Sequence, residues 1–285
     1  MKNVLRTLIY DGQVSLTLAD TTEMVREGAR LHGLSAASAY LFGKSLSAMT
    51  FMSACLKNER GEISLSIKGD GAYGEIGVSG NQQLRIRGFI GNTQLAGGAN
   101  AETERAYLGQ NEAITVIRDD GYSRPFVGTC AIPEKGGIDE GFEEYFRISE
   151  QLPTRLKTAA DLDGDGKCSF AGFVAIQPLP FADEEALKAV ENADLTALLT
   201  AVKMQGIAEC ARAYFTTDET VWEERKAGYK CNCSRRYLTR VLVSLGEAQM
   251  RQIIQEDGAV RVHCHYCNTD YEFTNEDADL LFPKE

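Results

Sequence analysis

Apolar residues alternate with polar or small ones near the start of the chain, where Val14, Leu16 and Leu18 recur at period two, and this predicts sheet within residues 3–18. The period then lengthens. Across residues 35–57, Ala39, Phe42, Leu46, Met49 and Ser53 fall at helical spacing with almost no charge among them, which predicts a long central helix covered on both faces. Short alternations return between residues 62 and 127, as in Ile63, Leu65 and Ile67 or Leu84 and Ile86, and glycines separate them. That stretch reads as a Gly-rich β region. A membrane span over residues 31–56 is opposed by Lys44 in its middle and by Ser35, Ser38, Ser45, Ser47 and Ser53.

After Pro178-Leu179-Pro180 the pattern changes again. Residues 181–226 hold ten acids, five bases and no proline, with alanine at many positions, which predicts helix. Leu195, Leu198, Leu199 and Val202 form an i, i+3, i+4, i+7 stripe behind a candidate N-cap, Asp194. The stripe is narrow, so the segment is expected to rest on something else. From Tyr229 a third, small unit follows, helical near residues 235–245 and hairpin-like over residues 260–273. The expected architecture is α+β: a β-rich N-terminal domain with a central helix (1–180), a helical linker (181–228) and a small C-terminal α+β unit (229–285).

Composition narrows the function. The chain has 285 residues, 44% hydrophobic and 25% charged, with a net charge of −11, which opposes broad binding to nucleic acid or anionic lipid. Arg6, Thr7 and Asp11 interrupt the opening residues before an apolar run develops, so no secretory signal is expected and the cytoplasm is the expected location. In a reducing compartment, eight cysteines point to metal or redox chemistry rather than structural disulfides.

Three motifs lose their usual meaning in context. Gly69-Asp70-Gly71-Ala72-Tyr73-Gly74 matches a dinucleotide fingerprint, but a strand rather than a helix follows, and no acid lies between Ile76 and Ala101 to hold a ribose. A β-turn is expected there. Asp161, Asp163, Asp165 and Gly166 imitate the start of a calcium loop whose twelfth position, Gly172, cannot close it, so a solvated acidic turn is expected. His32, the one histidine outside the C-terminal unit, reads as structural, and no hydrolase is indicated.

The cysteines divide into two groups. Cys55, Cys130, Cys168 and Cys210 are scattered, whereas Cys231-Asn232-Cys233 and Cys264-His265-Tyr266-Cys267 supply four closely spaced thiols that can converge as a tetrahedral zinc site. His263 and His265 could substitute as ligands. Lys230, Arg235, Arg236 and Arg261 would offset the negative charge of a four-thiolate centre. Two features weaken a purely structural reading of the zinc. Each pair is close enough in sequence to join as its own disulfide, which would consume the ligands and expel the metal. A unit of about 55 residues also has little core of its own, while structural zinc typically supplies ~10–16 kcal/mol of apparent binding free energy. Oxidation would then unfold it.

The sequence resembles the redox-regulated 33 kDa heat-shock chaperone family (heat-shock protein 33). Cys231-Asn232-Cys233-Ser234-Arg235 is similar to that family's C-x-C-S motif, and Val262-His263-Cys264-His265-Tyr266-Cys267-Asn268 to its C-x-x-C motif. Ser149-Glu150-Gln151-Leu152-Pro153-Thr154, Ala171-Gly172, Gln177-Pro178-Leu179-Pro180 and Arg85-Ile86-Arg87-Gly88-Phe89 resemble its core-domain signatures. Leu245-Gly246-Glu247-Ala248-Gln249 departs from the acidic pair associated with that stretch, which bears on local helix stability and leaves the cysteines intact. The resemblance implies no enzyme but an ATP-independent holdase, inactive when reduced and zinc-bound. Oxidised, it binds unfolding client proteins and forms a homodimer. A compatible mechanism joins Cys231 to Cys233 and Cys264 to Cys267, releases one zinc per chain, and loosens residues 181–226 to expose apolar surface. Two other classes compete. One is a zinc-ribbon nucleic-acid binder using Arg235, Arg236, Tyr237, Arg240 and Tyr266, which the net charge opposes. The other is a thiol-disulfide oxidoreductase using Cys264 and Cys267, which leaves the first pair without a purpose.

Overall fold

The long helix with a single charged residue organises the larger part of the molecule. In the computed structural model, which describes residues 2–283, the chain divides into two compact units, one ending at Lys230 and the other beginning at Cys231. The first unit runs β1 (Val4–Ile9), β2 (Val14–Asp20), α1 (Thr22–His32), α2 (Ala36–Ala54), β3 (Glu62–Lys68), β4 (Glu75–Asn81) and β5 (Arg85–Ile90). It continues with α3 (Ala101–Leu108), β6 (Ala113–Asp119), β7 (Phe126–Ala131), α4 (Ile138–Tyr145), β8 (Arg155–Leu162) and β9 (Cys168–Pro178). It closes with α5 (Glu184–Asn192), α6 (Leu195–Gln205), α7 (Ile207–Tyr214), β10 (Glu223–Arg225) and β11 (Gly228–Tyr229).

Two sheets form, in the orders β10-β1-β2-β9-β8 and β11-β5-β4-β3-β6-β7. Helix α2 packs against β8 and β9 of the first and β4 and β5 of the second, so every residue from Ala37 to Ala54 is buried. That explains why it lacks a polar face. It also explains its serines. Small hydroxyl residues let sheets approach closely: Ser45 and Thr50 donate back to the carbonyls of Leu41 and Leu46 within the helix, and Ser47 bonds Thr21 at 2.7 Å. Lys44 is buried with them, and its ammonium meets Glu104 of α3 at 2.7 Å and Asp139 of α4 at 3.3 Å. Burial alone would pull this lysine down; the two carboxylates outweigh it and hold its pKa above the ordinary value.

The first sheet is covered on both faces. Val14, Leu16 and Leu18 face a second core made with α5, α6 and α7, while Ser15 and Thr17 between them are buried too. The segment after Pro180 therefore rests on this sheet, and Asp194 caps α6 by accepting the amides of Thr196 and Ala197. Leu195, Leu198, Leu199 and Val202 are all buried there.

Two expectations are corrected. Residues 62–127 are not sheet throughout, because Asn100 and Thr103 form a capping box that starts α3, which carries Glu104 to Lys44. Helix does not extend to residue 226 either. It ends at Tyr214, and Glu223–Arg225 pairs antiparallel with β1, since an open sheet edge outweighs the helix propensity of a short charged run.

The glycine motif is a turn between β3 and β4. Gly71 donates its amide to Glu112 at 2.9 Å, Tyr73 donates its hydroxyl to the same carboxylate, and a Cβ on Gly69 would overlap that carboxylate. The acidic turn between β8 and β9 folds around Asp163, which accepts the amides of Asp165 and Lys167. His32 bonds the Tyr229 hydroxyl at 3.1 Å.

Candidate metal centre

The second unit runs α8 (Arg235–Leu245), α9 (Glu247–Asp257), β12 (Val260–Cys264), β13 (Thr269–Phe273) and α10 (Asn275–Leu281). Ser234 starts α8 by accepting the amide of Tyr237, and Gly246 and Gly258, both at positive φ, end α8 and α9. Its core is small: Leu242, Met250, Ile254, Val260, Phe273 and Ala278.

Strand alternation decides which side chains reach the thiols. In the β12–β13 hairpin, Val260, Val262 and Cys264 pair with Phe273, Tyr271 and Thr269 on one face. Arg261 and His263 pair with Glu272 and Asp270 on the other. At the tip, Cys264 accepts the amides of Cys267 at 3.3 Å and Asn268 at 2.8 Å, and Asn268 takes a left-handed φ of 55°. This tight turn brings the Cys267 sulfur back beside Cys264. The Cys231-Cys233 segment, immediately before the α8 cap, supplies the other two.

The four sulfurs all lie within 4.8 Å of one another. Among the described residues they form a group of thiols alone, which could hold a metal ion. Cys231 stands 3.6 Å from Cys264, and Cys233 stands 3.2 Å from Cys267. All four cysteines are partly exposed. Burial raises the Cys231 and Cys233 thiols above their ordinary pKa. Burial acts the same way on Cys267, but hydrogen bonding with Thr269 and the neighbouring thiols outweighs it and holds that thiol lower.

Two of the four expected bases pair with carboxylates, and hydrogen bonds reach the sulfurs. Arg235 turns to Asp277 at 2.7 Å and to the Glu272 carbonyl at 2.8 Å, and Arg261 pairs with Glu272 at 3.1 Å. The Cys233 amide instead points to the Cys231 sulfur at 3.5 Å, the Tyr271 hydroxyl lies 3.3 Å from Cys233, and the Thr269 hydroxyl lies 3.2 Å from Cys267. Sequence reasoning missed Thr269 and Tyr271; the signal was the period-two placement of Thr269, Tyr271 and Phe273 behind the C-x-x-C turn. His263 lies on the opposite face with its Nδ1 2.7 Å from Asp270, and the His265 ring centroid is 5.1 Å from that of His263. Among the described residues no helix is long and apolar enough to cross a membrane.

Comparison with known proteins agrees with this architecture. A solved structure of a 33 kDa chaperonin (heat shock protein 33 homolog) from Thermotoga maritima superposes with a TM-score of 0.81, covering 98% of this chain and 97% of that one at 23% identity, a likeness of fold. The 33 kDa chaperonin of Clostridium perfringens (strain SM101 / Type A) is 32% identical over 292 residues, covering 99% of this chain and 92% of the relative. The 33 kDa chaperonin of Bacillus cereus (strain B4264) is 32% identical over 290 residues, covering 99% of both. The family profile described as Hsp33 protein matches residues 2–274. With a fold, a thiol cluster and near-complete alignment in agreement, the chain belongs to the Hsp33 family and is related throughout its length to chaperones.

Proposed function

We propose that this chain is an ATP-independent holdase switched by oxidation of a zinc centre built from Cys231, Cys233, Cys264 and Cys267. The observation that carries the reading is the convergence of four thiols within 4.8 Å in a unit with a small core. The donor set suits the metal: zinc favours four soft thiolates in tetrahedral array, and no hard carboxylate belongs to the cluster. When bound, zinc would keep the thiols ionised and supply much of the unit's folding free energy.

In this reading residues 1–180 form the chaperone core, 181–228 the linker and 229–285 the switch. Peroxide takes two electrons from each cysteine pair. Cys231–Cys233 and Cys264–Cys267 disulfides form, two peroxides and four protons become four waters, and zinc leaves. The switch then unfolds, the linker loosens, and apolar surface opens to unfolding proteins, with a homodimer as the active state. The cycle suits a reducing cytoplasm, where oxidation is the exceptional signal. No step needs a nucleic acid, a membrane or catalytic turnover.

The test is zinc content and suppression of client aggregation, measured on the same sample before and after peroxide. One zinc per reduced chain, lost as suppression appears, is the expected result. Suppression unchanged by zinc loss would overturn the switch. Rapid catalytic reduction of insulin would favour a thiol-disulfide oxidoreductase instead.

A further inference from the structure

Two hydroxyls on β13 stand beside the thiols, one for each cysteine pair. Thr269 and Tyr271 are two residues apart, so strand alternation turns both to the inner face of the hairpin. Tyr271 lies 3.3 Å from the Cys233 sulfur and Thr269 lies 3.2 Å from that of Cys267. Their targets are themselves 3.2 Å apart. The Cys267 thiol donates to the Thr269 hydroxyl, whose own proton faces the Cys267 carbonyl at 3.4 Å; a thiolate can only accept, so once Cys233 and Cys267 are ionised each hydroxyl bonds its sulfur by turning its proton to it.

We infer that Thr269 and Tyr271 are positioning residues of the metal centre: their hydroxyls hold Cys233 and Cys267 in place and withdraw charge from them, which raises metal retention and slows attack by peroxide. The inference rests on the thiol cluster being the redox-sensitive zinc site. Hydrogen bonds from outside the ligand set orient metal ligands, and their loss typically lowers metal affinity by about 10–100-fold. They also govern reactivity. A thiolate sulfur attacks one peroxide oxygen, the S–O bond forms as the O–O bond breaks, and the departing hydroxide takes up a proton as water. The rate follows the electron density on sulfur, which a donated hydrogen bond reduces. Two of the four sulfurs would thus be damped, and the centre would respond to an oxidant burst rather than to background peroxide.

Tyr271 is well placed to register the state of the centre as well. Its ring packs on the unit's core beside Val262, and the next inward residue on the strand, Phe273, is fully buried under the Arg235 guanidinium at 4.4 Å. One strand face therefore runs from the sulfurs to the core.

Tyr271→Phe and Thr269→Val remove the hydroxyls while keeping ring and volume, and the exposed Tyr237→Phe on α8 serves as the control. Two measurements on the full reduced chain are needed: zinc affinity by titration with a competing chelator, and the rate of zinc release in excess peroxide. Each variant should bind zinc about tenfold more weakly and release it severalfold faster, the double variant more so, with the control unchanged. Affinity and rate equal to the parent chain in both variants, or slower release, would overturn the inference. A parent chain that binds zinc but loses none to peroxide would defeat the switch instead, and the chelator titration would still decide whether the hydroxyls support the metal.

Discussion

Lys44 and Glu104 meet at 2.7 Å with both side chains almost wholly withdrawn from solvent, one in the middle of α2 and the other on α3. Glu104 also accepts the Tyr40 hydroxyl at 3.1 Å and the Ile138 amide at 2.7 Å, so one carboxylate ties three helices together. Such a pair gives little net stability against an apolar replacement, but removing one member strands the other. Lys44→Met should therefore lose about 3–5 kcal/mol of stability, and adding Glu104→Gln should restore the part due to Glu104, while Asp139, the lysine's other carboxylate, keeps Lys157 at 3.1 Å. Urea unfolding followed at Trp222, the only tryptophan, measures this. A loss below ~1 kcal/mol for the single variant would show that the remaining groups already neutralise Glu104.

The thiol cluster makes a quantitative claim on each of its members. If four ligands share the ~10–16 kcal/mol typical of structural zinc, replacing one removes about 3 kcal/mol, or roughly a hundredfold in affinity. Serine at Cys231, Cys233, Cys264 or Cys267 should each produce a loss of that order, read by chelator competition. A loss confined to His263 or His265 replacement would redirect the ligand set to imidazole.

The scattered cysteines should be silent. Burial pushes Cys55, Cys130, Cys168 and Cys210 all up to about 11, so at neutral pH only about one in ten thousand of each is the reactive thiolate. A chain with these four replaced by alanine or serine should release zinc to peroxide at the parent rate. Disulfides involving Cys168 or Cys210 in the oxidised protein, found by peptide mapping, would require another mechanism.

Glu112 carries a pH dependence of definite sign. Its burial, opposed by bonds from Tyr73 and Gly71, raises its pKa in the fold. Folding then favours the protonated form, so this group's contribution is complete below the ordinary carboxylate value, about 4.3, and is lost as pH climbs through the raised one. Glu112→Gln removes that loss. The melting temperature of the variant relative to the parent should be higher at pH 7 than at pH 4; the reverse ordering would mean that the bonds to the carboxylate outweigh its burial.

Much of this was readable in the residues. The run around Phe42 and Met49, charged only at Lys44, needed cover on all sides, which a helix between two sheets provides. The residue pattern also places α8 over 235–245 and the hairpin over 260–273, where the structure has them. The failures are tertiary. Nothing in Glu223-Glu224-Arg225 alternates, and it becomes a strand because β1 offers an unpaired edge. Helix α3 is short, and its purpose, delivering Glu104 to Lys44, depends on a contact 60 residues away. The same holds at the thiols. Cysteine spacing reveals candidate ligands, whereas the hydroxyls of Thr269 and Tyr271 acquire meaning only once the hairpin register turns them toward sulfur.

Unfolding of the switch would spread into the chain before it in a definite order. The residues ahead of Cys231 are held by two short pairings, Val4 to Arg6 with Arg225 to Glu223 and Arg85 and Ile86 with Gly228 and Tyr229, by the Lys230 amide donating to the Ile86 carbonyl at 2.8 Å, and by two buried side chains, Ala227 and Tyr229. Helices α5 to α7 are held more firmly, since Val190, Leu195, Leu198, Leu199, Val202 and Cys210 are buried against Leu16, Leu18, Val174 and Ile176. Short strand pairs open at lower free energy than a docked apolar face. After oxidation, hydrogen exchange should therefore quicken first across 231–283, next across 223–230 by at least about tenfold, equivalent to ~1.4 kcal/mol of lost protection, and only then across 184–214. Aggregation suppression should follow the last of these steps if the linker surface receives clients. Early exchange in 184–214 with 223–230 still protected would break this order and require a route that bypasses the two strand pairs.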